Sequence, residues 1–85
     1  MKTNPTLETD ISSYFDEIVA EKERAGINLP LAKQIAVGQI YKDTQVGLLD
    51  LEKAARWLIS HEVEQGTPPE AATLHVREHL PARKS

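Results

Sequence analysis

The chain has no cysteine. A disulfide framework, a thiolate nucleophile and every cysteine-based zinc site are excluded together, and the lack suits a reducing compartment. Aromatic side chains are scarce: Tyr14, Phe15, Tyr41 and Trp57 are the whole set. A core must therefore be built from Leu, Ile, Val and Ala. No apolar run approaches the roughly 20 residues needed to cross a bilayer, and Met1 to Thr6 has no apolar segment of the signal-peptide kind. A cytoplasmic protein is expected. There is no excess of positive charge either: the formal net charge is −3 and the isoelectric point about 5.5, whereas chains that bind nucleic acid through phosphates are usually basic. Internal repeats and low-complexity segments are not evident, and no stretch alternates apolar and polar residues as a half-buried strand does.

What is present fits a single small domain over residues 1–85, with 1–6 and 81–85 expected to fray. Apolar residues make up 40% and charged residues 27% of the chain, which is ordinary globular usage. A chain of this size buries about two-thirds of its unfolded surface and often adds to its core by oligomerising.

Glycine and proline divide the chain into four helical stretches, predicted at about 7–25, 29–42, 48–65 and 68–79. In the first, Ile11, Tyr14, Phe15, Ile18 and Val19 make one apolar stripe, and Gly26 is the stop. In the second, Leu31, Ala32, Ile35, Ala36, Gln39 and Ile40 share a stripe, with Val37 and Tyr41 off it. That helix is apolar around more than half its circumference, so it is central to the bundle or meets another chain. Gly38 inside it is a tolerated glycine or a place where a second helix comes close. The third helix places Leu48, Leu51, Ala55, Leu58, Ile59 and Glu62 on one face, with Trp57 on its flank and Asp50 as an N-cap by residue type. The fourth turns Ala72, Val76 and Leu80 inward, with Ala71 and Leu74 beside them. Between these two, Gly66 closes one helix, while Thr67 and Glu70 have the spacing of a capping box with Pro68 at the first helical position. An all-α domain follows: four helices with short connections, in an irregular or crossed-helix bundle.

Few residues suggest chemistry. His75-Val76-Arg77-Glu78-His79 resembles the H-x-x-E-H pattern of inverted zinc peptidases, in which two imidazoles one turn apart share a metal. No acidic residue follows His79 to supply a third ligand, so two half-exposed helix histidines and no metal are expected. Ser60 and His61 are neighbours on a helix and diverge by about 100°, too far apart to act as nucleophile and base. No phosphate-cradling glycine loop, nucleophile elbow or calcium loop is present. No enzyme and no cofactor are expected.

Two kinds of binding remain. Off-stripe Val37 and Tyr41, with Trp57, are the candidates for a protein-binding face, since Tyr and Trp are enriched where partners bind tightly. The competing expectation is that Tyr41 and Trp57 complete a core short of aromatics. A homodimer through the second helix is the commonest form that surplus apolar surface takes. The second reading is nucleic acid. The run from Leu48 to Leu58 (Leu48-Leu49-Asp50-Leu51-Glu52-Lys53-Ala54-Ala55-Arg56-Trp57-Leu58) resembles the opening helix of excisionase-type winged helix-turn-helix domains. That resemblance implies DNA contact through the third and fourth helices, for which Arg56, Arg77, Arg83 and Lys84 are the available cations. Taken together, these readings favour a non-catalytic interaction module or regulator, with a DNA-associated protein as the alternative.

Overall fold

A computed structural model of the protein describes residues 6–80. They form the expected all-α domain: α1 (Ile11–Arg24), α2 (Leu29–Gln45), α3 (Leu51–Glu64) and α4 (Pro69–His79), with no strand among the described residues. None of these helices is long and apolar enough to cross a membrane.

Local chemistry sets the ends. Thr6 and Thr9 form a turn of their own, the Thr6 N–H donating to Thr9 Oγ1 at 2.7 Å, so α1 starts at Ile11 rather than near residue 7. Gly26, at φ 92°, closes α1: the Ile27 N–H reaches back to the Lys22 carbonyl and the Gly26 N–H to that of Glu23, both at 3.0 Å. This is the paired closure a left-handed glycine permits. An unforeseen second copy at Gly47 (φ 87°) returns the Leu48 N–H to the Asp43 carbonyl at 2.8 Å. It carries α2 on to Gln45, beyond the expected end at 42. Asp50 caps α3 as its type suggests, accepting the Lys53 N–H at 2.9 Å; α3 accordingly begins at Leu51, and Leu48 lies outside it.

The start of α4 corrects the sequence expectation. The Thr67–Glu70 capping box does not form; Pro68 is the N-cap, with φ −58° and ψ 143°, and the first helical residue is Pro69. The Pro69 ring favours this arrangement. A residue that precedes proline is biased away from the helical region, and Pro68 takes the extended side, although the bias is not absolute: Leu29 opens α2 directly before Pro30.

The four helices are two stacked hairpins. α1 packs along α2 and α3 along α4, and both helices of the first hairpin touch α3. The hairpins share a plan that residue identity conceals. Asp10, Gly26 and Ala32 recur forty residues later as Asp50, Gly66 and Ala72. The Gly66 closure repeats that of Gly26 bond for bond, with the Thr67 N–H on the Glu62 carbonyl and the Gly66 N–H on that of Val63. Buried, half-buried and exposed positions from 21 to 34 match those from 61 to 74 one for one. A repeat is thus present in geometry, though not evident in sequence, because the matched core positions carry different residues (Ala36 with Val76, Ile40 with Leu80).

The core is aliphatic, as expected. Ala32, Ala36 and Ile40 of α2 and Ala72, Val76 and Leu80 of the second hairpin are buried rows spaced by four residues, joined by Ile11, Phe15, Val19, Leu49, Ala54, Ala55 and Leu58. Four residues expected on inner faces or beside them lie outside: Leu31 and Leu48 are each 46% exposed, Leu74 is 62% exposed, and Ala71 is exposed as well. Small alanines narrow the buried row of each second helix, so a residue 100° away from it, such as Leu31, falls outside the contact. Gly38 is exposed, and a Cβ built there meets nothing within 4 Å. No helix among the described residues approaches it. Gly38→Ala is therefore expected to stabilise the domain by about 1 kcal/mol, raising Tm by roughly 4–8 °C in a thermal melt; an unchanged or lower Tm would show that the glycine itself is needed.

Candidate functional site

α2 presents two adjacent rows. One, Ala32-Ala36-Ile40-Thr44, is buried. The other, Leu29-Lys33-Val37-Tyr41, is one residue on around the helix and faces an open groove of about 550 Å³ between α2 and the α3–α4 hairpin. His61 and Glu62 of α3 and His75 of α4 form its opposite side. The polar contacts there converge on one carboxylate oxygen. The Tyr41 hydroxyl donates to Glu62 Oε2 at 3.3 Å, and His75 Nδ1 lies 2.6 Å from the same oxygen. A carboxylate only accepts, so His75 carries its proton on Nδ1. His79 sets its own Nδ1 at 2.9 Å on the His75 carbonyl, and Gln45 Nε2 donates to the His79 carbonyl at 2.6 Å, tying the end of α2 to the end of α4.

A second cleft of about 420 Å³ adjoins the groove and shares Lys33, His61 and Gln65 with it. Its aromatic wall is Phe15, Trp57 and His61. Trp57 and His61 stack with centroids 4.9 Å apart and planes 11° from parallel, and Phe15 leans on Trp57 at 4.8 Å. The carboxylates of Asp16 and Glu64 border this cleft.

The three sequence-nominated binding residues are thus distributed over two adjoining depressions. Val37 and Tyr41 share the groove, and Trp57 lines the cleft, with His61 between them; all three are half-buried against the core. His61, Glu62 and His75 were not singled out for this wall, since they meet Tyr41 and Trp57 only through the packing of one hairpin on the other. The cations of the nucleic-acid reading are placed differently. Arg77 pairs with Glu52 at 3.4 Å, and Arg56 borders a shallow cleft together with Lys53, Glu8 and Asp10. Arg83 and Lys84 lie outside the described residues. The opening helix that resembled excisionase-type domains starts three residues late, at Leu51. Both Nδ1 atoms of the H-x-x-E-H histidines are engaged as described, and no group of three His, Asp or Glu among the described residues is arranged to hold a metal ion.

Away from the groove, a buried polar lock joins α1 to α2. Asp43 is 5% exposed; the Tyr14 hydroxyl donates to its Oδ2, and Gln39 Nε2 donates to its Oδ1 at 2.9 Å. Burial first, and then the carboxylate beside it, makes each tyrosine harder to ionise. Tyr41 is pushed up to about 12, next to Glu62, and Tyr14, on Asp43, is raised further. Both folded values exceed the ordinary tyrosine value of about 10. The unfolded chain therefore loses protons first as pH rises, and this contribution to stability is complete below pH about 10 and lost above it. Tyrosinate absorbance and helical circular dichroism should then change together in an alkaline titration, and Tyr14→Phe should flatten the decline. Ionisation of both phenols near pH 10 with the helices intact would contradict the geometry.

Compared with known proteins, the chain matches no family model, and no curated protein or solved structure matches it significantly. The function has to be read from the site alone.

Proposed function

We propose that this is a small, non-catalytic, cytoplasmic interaction module or regulator, acting by protein–protein contact through the groove between its two hairpins. One observation carries the reading: the Leu29-Lys33-Val37-Tyr41 row stays partly uncovered along an open groove, while the neighbouring row of the same helix is sealed. A groove with apolar flanks and a few fixed polar groups suits a helix or extended segment that lays apolar side chains into it. Tyr41 is the natural anchor, a large ring whose hydroxyl is already held by Glu62. Nothing in the groove offers a nucleophile with a base beside it. The His61 ring is stacked on Trp57 and the His75 nitrogen is bonded to Glu62, so the polar groups shape and orient the surface.

The test separates binding from folding. Tyr41→Ala is expected to weaken binding of a co-purifying partner by tenfold or more, on the order of 1.4 kcal/mol or above, while lowering stability less than truncation of a sealed core residue does. A variant that melts as low as a core truncation yet retains the partner would make Tyr41 a core residue and remove the proposal.

A further inference from the structure

We infer that the cleft beside the groove takes a cationic side chain, an arginine above all, from the segment that occupies the groove. This rests on the protein-binding reading above and specifies the partner's chemistry: apolar anchors followed by a positive charge. Asp16 and Glu64 border the cleft, and neither carboxylate is engaged by another side chain among the described residues. The Phe15–Trp57–His61 wall lines the same cleft. A guanidinium uses both features at once, stacking its plane on aromatic rings and sending its N–H groups to carboxylates. Groove and cleft meet at His61 and Lys33, so one bound segment can fill the first with apolar groups and the second with its charge. Lys33 is the opposing element: it borders both depressions and its positive charge repels a cation, leaving two carboxylates against one lysine in the cleft.

The matching outer face of the second hairpin does not offer this combination. Under the forty-residue correspondence, the positions of Ser12, Asp16 and Val37, which face the second hairpin, become Glu52, Arg56 and Arg77. Arg77 and Glu52 pair with each other there, which gives the stack a charged end that discourages a further unit. The aromatic wall with its two carboxylates is therefore not repeated on the matching face of the second hairpin.

The test is chemical-shift mapping on the intact chain at low salt, with three capped amino acids as probes: acetyl-arginine amide, its neutral isostere acetyl-citrulline amide, and acetyl-leucine amide. Ser60 borders this cleft, whereas Trp57 also borders the one beside Arg56, so the Ser60 amide is read alongside the single indole N–H resonance. The arginine probe is expected to shift both resonances saturably, binding about threefold or more tighter than citrulline, with the preference fading as salt is added. Asp16→Asn with Glu64→Gln should abolish the preference, and Lys33→Gln should strengthen it, an increase that mere structural damage does not produce. Equal responses to arginine and citrulline, or arginine shifts spread evenly over all exposed carboxylates, would overturn the inference. The leucine probe keeps the two proposals apart. If it moves resonances around Val37 and Tyr41 while arginine shows no preference, the groove stands and the cation site falls; if no probe moves either region, both fall.

Discussion

Truncation of Ile40 to Ala is expected to cost about 3 kcal/mol, within the range for deleting buried methylenes from a packed core. Ile40 is 0% exposed and is among the largest fully buried side chains of the domain, with Leu58 and Val76. A chain of this size has total stability of only about 4–13 kcal/mol, so the loss is a large fraction of the whole and lowers Tm by roughly 12–24 °C. Ile40→Val, which leaves a smaller void, should cost about 1 kcal/mol. Leu74→Ala is the control: this side chain is 62% exposed, and its loss should stay within about 0.5 kcal/mol. Thermal and denaturant melts of the three variants check the order. Comparable losses at Ile40 and Leu74 would mean that α2 does not pack as described.

The second large effect is at Asp43. Asp43→Ala removes the acceptor for both the Tyr14 hydroxyl and the Gln39 amide and is expected to cost about 2–3 kcal/mol. Bonds to a charged group contribute about 1.5–3 kcal/mol each, and relief of the buried carboxylate's desolvation offsets part of the loss. Asp43→Asn keeps an oxygen for Tyr14 and should recover about half. A double-mutant cycle with Tyr14→Phe isolates the pair, and a coupling of at least about 1 kcal/mol is expected for groups in direct contact. Additive losses would show that the α1–α2 lock carries no energy of its own.

These two residues also mark what could be read from the sequence. Ile40 sits in a periodic row, and periodicity exposes such residues: the stripes Ile11-Phe15-Val19 and Ala72-Val76-Leu80 are buried as their spacing predicts. The glycine stops at 26 and 66 and the Asp50 cap were legible because each rests on a single residue's conformational chemistry. Asp43 was not legible. It lies past the expected end of α2, and only the Gly47 closure extends the helix far enough to bury it against Tyr14. The start of α4 was misplaced because two rules competed at Pro68: proline's preference for the first helical turn and the bias of residues before proline away from helical geometry. The second prevailed.

The site was legible in part. Val37 and Tyr41 stood out as apolar residues off the main stripe, and they line the groove. Glu62 and His75, thirteen residues apart across the α3–α4 turn, meet at 2.6 Å, and Trp57 finds Phe15 from another helix. Contacts of that kind come from how one hairpin sits on the other, and no local pattern encodes them. The hairpin repeat escaped for the related reason that matched positions share burial and backbone bonding while differing in side chain.

The central claim is that the groove between the hairpins is the working surface. Parallel capture from native cell extract by immobilised wild type, Val37→Arg and Leu74→Arg tests it most directly. Val37 is half-buried in the groove, and Leu74 is exposed outside it. The expected result is a protein retained by wild type and by Leu74→Arg and lost from Val37→Arg, with all three baits folded by circular dichroism. A retained protein indifferent to Val37→Arg, or one lost only from Leu74→Arg, would contradict the account.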